Sequence, residues 1–195
     1  MGSVTNLTQQ QIEKIQIDEA VVYINYGETD ERLLAPTRGG GEFSATNTIR
    51  DIEYDGRRGK TKGMQIIEEQ AATLKVVALC MSQEELALAI PGCAVSGTGD
   101  AAIISNSDGV LIPEGDYLKN VTAFAKLIGG KYKKITIYNA MHEGGLTIKA
   151  APKSEGELSL ELNAHFNPKD STEKLYEIAE VANATPSGGS QAAGG

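Results

Sequence analysis

A chain of 195 residues, 41% hydrophobic and 23% charged, has the composition of one globular domain. At this length it can bury roughly 70% of the surface its unfolded form exposes. Aromatic residues make up 5% with no Trp, which argues against a stacking platform for single-stranded nucleic acid. A net charge of −8 and a pI near 4.9 argue against a protein that wraps nucleic acid, without excluding one past which DNA must keep moving.

The opening segment MGSVTNLTQQQIEK has no apolar run. It reads as a flexible arm over residues 1–14, neither a signal peptide nor an anchor. No stretch approaches the ~20 apolar residues of a membrane span, so no membrane insertion by this chain is expected. The sequons at Asn6, Asn120 and Asn183 carry little weight without a secretory route. Cys80 and Cys93 read as two buried, reduced thiols of a cytosolic product.

A single β-rich domain is expected over 15–181. Ala20 to Tyr26 is β-branched and aromatic and reads as a strand. Residues 36–63 are glycine-rich and charged, a long projecting loop in which Phe43 to Tyr54 forms one long or two short strands of an extended hairpin. Ala72 to Cys80 is nearly continuously apolar, as a central strand would be. Ser82 and Glu85 form a capping box that opens a helix over 82–90, with Leu86, Ala89 and Ile90 as its buried stripe and Pro91 as its stop.

Residues 92–116 are loop-like. Leu118 to Ile128 and Lys134 to Ala140 read as strands joined by a two-residue turn at Gly129-Gly130. Gly144-Gly145 turns again into a strand over Leu146 to Ala150, and Glu157 to Phe166 completes a four-stranded meander. In that last run Leu158, Leu160, Leu162, Ala164 and Phe166 share one face; Glu157, Ser159, Glu161, Asn163 and His165 share the other. Lys174 to Val181 fits either a helix or a closing strand, and 182–195 is expected to be disordered.

Gly59-Lys60-Thr61 matches the end of a phosphate-binding loop, but that loop needs its first glycine where Tyr54 stands. Gly97-Thr98-Gly99-Asp100-Ala101-Ala102 fits a relaxed dinucleotide fingerprint without the helix that must follow. His142 and His165, each near a strand end, read as surface or edge histidines. His142-Glu143 lacks the second histidine of a zincin. No catalytic, cofactor or metal site is expected.

The stretches IEYDGRRGKTKGM, AATLKVVALCMSQEELALAIPG, DYLKNVTAFAKLIGGKYKKITIYNA and GELSLELNAHFNPKD, together spanning about Ile15 to Ile178, resemble the major tail tube proteins of long-tailed bacteriophages. The resemblance implies a mainly β fold, an antiparallel sandwich or barrel-like domain with one flanking α-helix packed outside it. It also implies homo-hexameric rings stacked through long loops into a virion tail tube, assembled in the host cytoplasm.

Such a tube carries double-stranded DNA without binding it specifically. Tape measure and tail completion proteins are its other partners, and 92–116 would be an outer loop facing any contractile sheath. On this reading Arg57, Arg58, Lys60 and Lys62 contact an acidic surface on the adjacent ring, and Glu157 and Glu161 are candidates for an acidic lumen that repels phosphates. The alternatives are a nucleotide-binding enzyme using GRRGKT, the tube of a contractile secretion system, and a monomeric carbohydrate-binding sandwich.

Overall fold

The computed structural model describes residues 7–34, 36–56, 58–79, 82–148, 155–170 and 172–184. The expectations for residues 1–6, Arg57, Cys80, residues 149 and 150 and residues 185–195 lie outside them. The chain is mainly antiparallel β, as the alternation of its apolar residues predicts.

One group of strands runs β2 (Arg32–Leu33), β1 (Gln16–Ile24), β7 (Leu118–Leu127), β8 (Tyr132–His142), with β10 (Tyr176–Val181) also on β8. The other runs β9 (Leu158–Asn163), β4 (Gln65–Ala78), β3 (Thr37–Asp51). The two are joined at the end of β8, where Met141 and His142 pair with Asn163 and Leu162. Among the described residues no ladder joins β1 to β3, so the barrel stays open.

The join depends on Asn139, whose φ of 48° interrupts the pleat of β8. Ile137 before it and Ala140 after it both point into the core, so the strand's phase slips by one residue there. The Asn139 amide donates to the His165 carbonyl at 3.2 Å and to Glu173 Oε2 at 3.0 Å. Asn139→Ala loses both bonds and places a Cβ-bearing residue without a polar side chain in the left-handed region, at an expected cost of about 2 kcal/mol. Asn139→Gly keeps the backbone and is expected to cost about 1 kcal/mol. Urea unfolding of the two variants compares them.

The main core lies between the strand groups. Val22, Val121 and Ile137 face Leu74, Val76, Leu158, Leu160 and Leu162. A second buried layer covers the opposite face of β1, β7 and β8. Phe124 meets Tyr23 and Tyr26 edge-on at 5.9 and 5.2 Å, and Thr122 and Thr136 share a 2.9 Å hydroxyl bond. β7 is therefore buried on both sides from Asn120 to Ala125, and the polar Asn120 and Thr122 of its second face are hydrogen-bonded within the fold.

Several expectations are corrected. Residues 7–14 contain a short helix, α1 (Gln9–Glu13), with a complete capping box between Thr8 and Gln11. The helix expected over 82–90 is α2 (Gln83–Leu88). Its Ser82 cap accepts from Glu85 N–H at 3.4 Å, but the Glu85 side chain is buried and pairs with Arg32 of β2 at 2.8 Å instead of closing a box. Ala89 is buried in the core, whereas Leu86 and Ile90 are only half-buried.

Leu146 to Ile148 form no strand. β9 already occupies the end of β8, and the turn is held down by His142, against whose ring a Cβ on Gly144 would come within 2.8 Å. The meander is therefore interrupted between β8 and β9. His142 is 1% exposed, not a surface residue: Glu161 N–H donates to its Nδ1 at 2.8 Å, so Nε2–H donates to the Gly145 carbonyl at 3.1 Å.

Within Lys174 to Val181, Tyr176–Val181 forms strand β10, because Tyr132 to Ile137 of β8 offers it an unpaired edge. Residues 92–116 hold a small ladder of β5 (Ala94–Ser96) and β6 (Ile103–Ser105).

Candidate assembly interface

The long projecting hairpin is built differently from the sequence expectation. Its outgoing strand is β3, and its return strand is the first half of β4, so one continuous strand runs from the arm into the core. Gly39 and Gly40, both at φ 75°, form the bulge at the root of β3, where Gly40 lies against Ala20 of β1.

β9 pairs with β4 only from Thr73 onward, and beyond that point β3 and β4 form a two-stranded ribbon. Every residue from Ser44 to Arg50 and from Gln65 to Ala71 is exposed. Seven residues per strand carry the ribbon about 24 Å from the sandwich. Such a ribbon, with both edges open and no core beneath it, is marginal in water without a partner.

Its two faces differ. One continues the core-facing side of Phe43, Leu74 and Ala72, and ends in a cross-strand pair of Ile49 and Ile67, 58% and 53% exposed. The other carries Arg50 and Glu68, which are hydrogen-bonded to each other. Sequence pattern alone does not single out Ile49, Ile66 and Ile67. The only signal was the apolar pair Ile66-Ile67 directly ahead of the polar EEQ.

The tip begins where Ile52 N–H donates to the Met64 carbonyl at 2.8 Å. Tyr54 Oη and Thr61 Oγ1 lie 3.2 Å apart across it. Arg58, Lys60 and Lys62 are exposed there on the returning limb. The outgoing limb brings Asp51, Glu53 and Asp55, so the tip is bipolar and not simply basic. Thr61 leads through a turn into strand β4 and not into a helix. A phosphate cradle at GKT would need a helix where β4 stands. Gly97 to Ala102 likewise spans the β5–β6 turn and leads into a strand.

Glu157 and Glu161 do not present bare charge. Arg38 of β3 donates to Glu157 at 2.6 Å and to Glu155 at 2.9 Å, and Lys75 of β4 lies 3.3 Å from Glu161. This face of β9 is a mixed-charge surface, and its acidity is partly neutralised by its own sheet.

The Arg38 hydrogen bond holds the Glu155 carboxyl below its ordinary value. A depressed carboxylate stabilises the fold above its unfolded pKa and loses that contribution as pH falls through the folded value. Carbon-detected NMR titration is expected to show a low Glu155 midpoint that returns toward the ordinary value in Arg38→Gln.

His165 completes the surroundings of the strand switch. Its Nε2 lies 3.1 Å from Glu143 Oε1, and its ring meets Tyr117 edge-on. Among the described residues no group of three or more His, Cys, Asp or Glu side chains is placed to hold a metal ion. No helix among them is long and apolar enough to cross a membrane. No protein-family model matches the chain, and a comparison with curated proteins finds no match.

Proposed function

We propose that this chain is a self-assembling structural protein whose copies close into rings and stack into a tube. The observation that carries the reading is the arm: a ribbon exposed on both faces and both edges, displaying an isoleucine pair and a charged tip. A monomer gains nothing from such an element, whereas a neighbouring copy can bury its apolar face and pair its edges. The hexameric ring, the virion tail and the passage of double-stranded DNA come from the resemblance to major tail tube proteins. The net charge of −8 suits that passage, since a negative wall disfavours the counterion release that makes DNA stick. A nucleotide-binding role for GRRGKT has the weaker support, because a strand follows the motif where a helix is needed.

Electron microscopy and sedimentation across a concentration series are expected to show rings or tubes, with trypsin cutting after Arg58, Lys60 and Lys62 in the dispersed protein and not in the assembled one. A chain that stays monomeric at every concentration and salt, with the tip equally cleavable throughout, would overturn the proposal.

A further inference from the structure

We infer that the arm tip of one copy docks on the 92–116 insertion of another, an inference that rests on the self-assembly proposed above. The insertion contains Asp100, Asp108, Glu114 and Asp116 and no Lys or Arg. The returning limb of the tip supplies Arg58, Lys60 and Lys62, so the two surfaces are complementary in charge.

They also match in apolar character. Val110 and Leu111 stand at 103% and 88% exposure, an arrangement that a free surface does not favour. Beside them a groove of about 500 Å³ opens between Leu111 and Phe166, with Lys169 at its rim. The tip brings exposed Ile52, Tyr54 and Ile66 to it, while Lys169 is already held by Glu114 of the insertion at 3.0 Å.

A reciprocal exchange of arms between two copies would close as a two-fold dimer, whereas a one-way contact is heterologous, leaves an unused arm at one end and an unused insertion at the other, and can propagate. That is the geometry a growing tube requires. The acidic partner expected for the basic loop thereby becomes a defined segment.

The test uses the full chain. Lys60→Glu with Lys62→Glu is expected to raise the concentration needed for assembly by about tenfold at low salt, and by less at high salt. Adding Asp100→Lys and Asp108→Lys in the same chain is expected to restore most of the loss. Zero-length carbodiimide coupling of the unaltered protein, mixed from 15N-labelled and unlabelled copies, is expected to join Lys60 or Lys62 to Asp100 or Asp108 between copies. Loss on arm reversal without rescue, and coupling of the tip to acids outside 92–116, would overturn the docking site while leaving self-assembly standing. An unaltered chain that never assembles would overturn both.

Discussion

Replacing Ile49 and Ile67 together with aspartate is expected to raise the concentration needed for assembly at least about a hundredfold while changing the stability of the monomer's core little. Both side chains lie on the exposed ribbon, outside the core between the strand groups, so their loss removes no buried contact. Substitutions at such positions usually change folding stability by no more than about 0.5 kcal/mol. Within an assembly the pair sits on the ribbon face that continues the core side of Phe43 and Leu74, the face a neighbour would cover.

Fully burying an isoleucine is worth about 1.5–3 kcal/mol, and each residue is already roughly half covered, so the pair stands to gain about 2–3 kcal/mol on docking. Two carboxylates in its place add a desolvation cost, so assembly should need at least about a hundredfold higher concentration. Arg50 and Glu68, bonded on the opposite face, are untouched and keep the ribbon's register. Sedimentation velocity reads the assembly and urea unfolding reads the monomer. Unchanged assembly would mean that this ribbon face stays in solvent, and a large loss of monomer stability would mean that the ribbon packs on its own sandwich.

The strands of the core were legible because burial on one face leaves a period of two. Leu158, Leu160 and Leu162 alternate with Ser159 and Glu161, and the observed strand keeps that alternation. The turn at Gly129-Gly130 and the Ser82 cap were legible for similarly local reasons. What the sequence hid depends on contacts distant along the chain. Glu85 reads as half of a capping box, yet its carboxylate is buried against Arg32, 53 residues earlier. His142 reads as an edge residue, but the phase slip at Asn139 turns it into the junction between the strand groups. The described part of the strand expected over Leu146 to Ala150, Leu146 to Ile148, forms no strand because β9 reaches the end of β8 first.

The candidate assembly interface was half legible. Glycines and mixed charges announced a projecting loop, but local composition gave no sign that residues 65–71 form its return strand. Those residues could equally begin a strand wholly inside the core. Only the pairing limit at Thr73, set by the length of β9, decides how much of β4 is left outside.

Phe124→Ala is expected to remove about 3–5 kcal/mol of folding stability, the range for emptying a buried aromatic site. For a domain of ordinary stability, about 5–15 kcal/mol, that is a large share of the total. Phe124 is 1% exposed, although it faces away from the main core. Its ring is enclosed by Tyr23 and Tyr26, and Tyr26 carries Lys134 Nζ 4.8 Å above its own face. Removing Phe124 deletes two edge-on aromatic contacts, each worth about 0.5–1.5 kcal/mol beyond area burial. It also opens a route for water toward the hydroxyl pair of Thr122 and Thr136. Phe124→Leu keeps most of the volume without the ring geometry and is expected to recover more than half of the loss. Urea midpoints at unchanged slope would read both values as stability changes. A loss below about 1 kcal/mol for the alanine variant would mean that this outer layer closes over the gap and is no second core. In that case β7 would owe its place to its Val121 and Ala123 face alone.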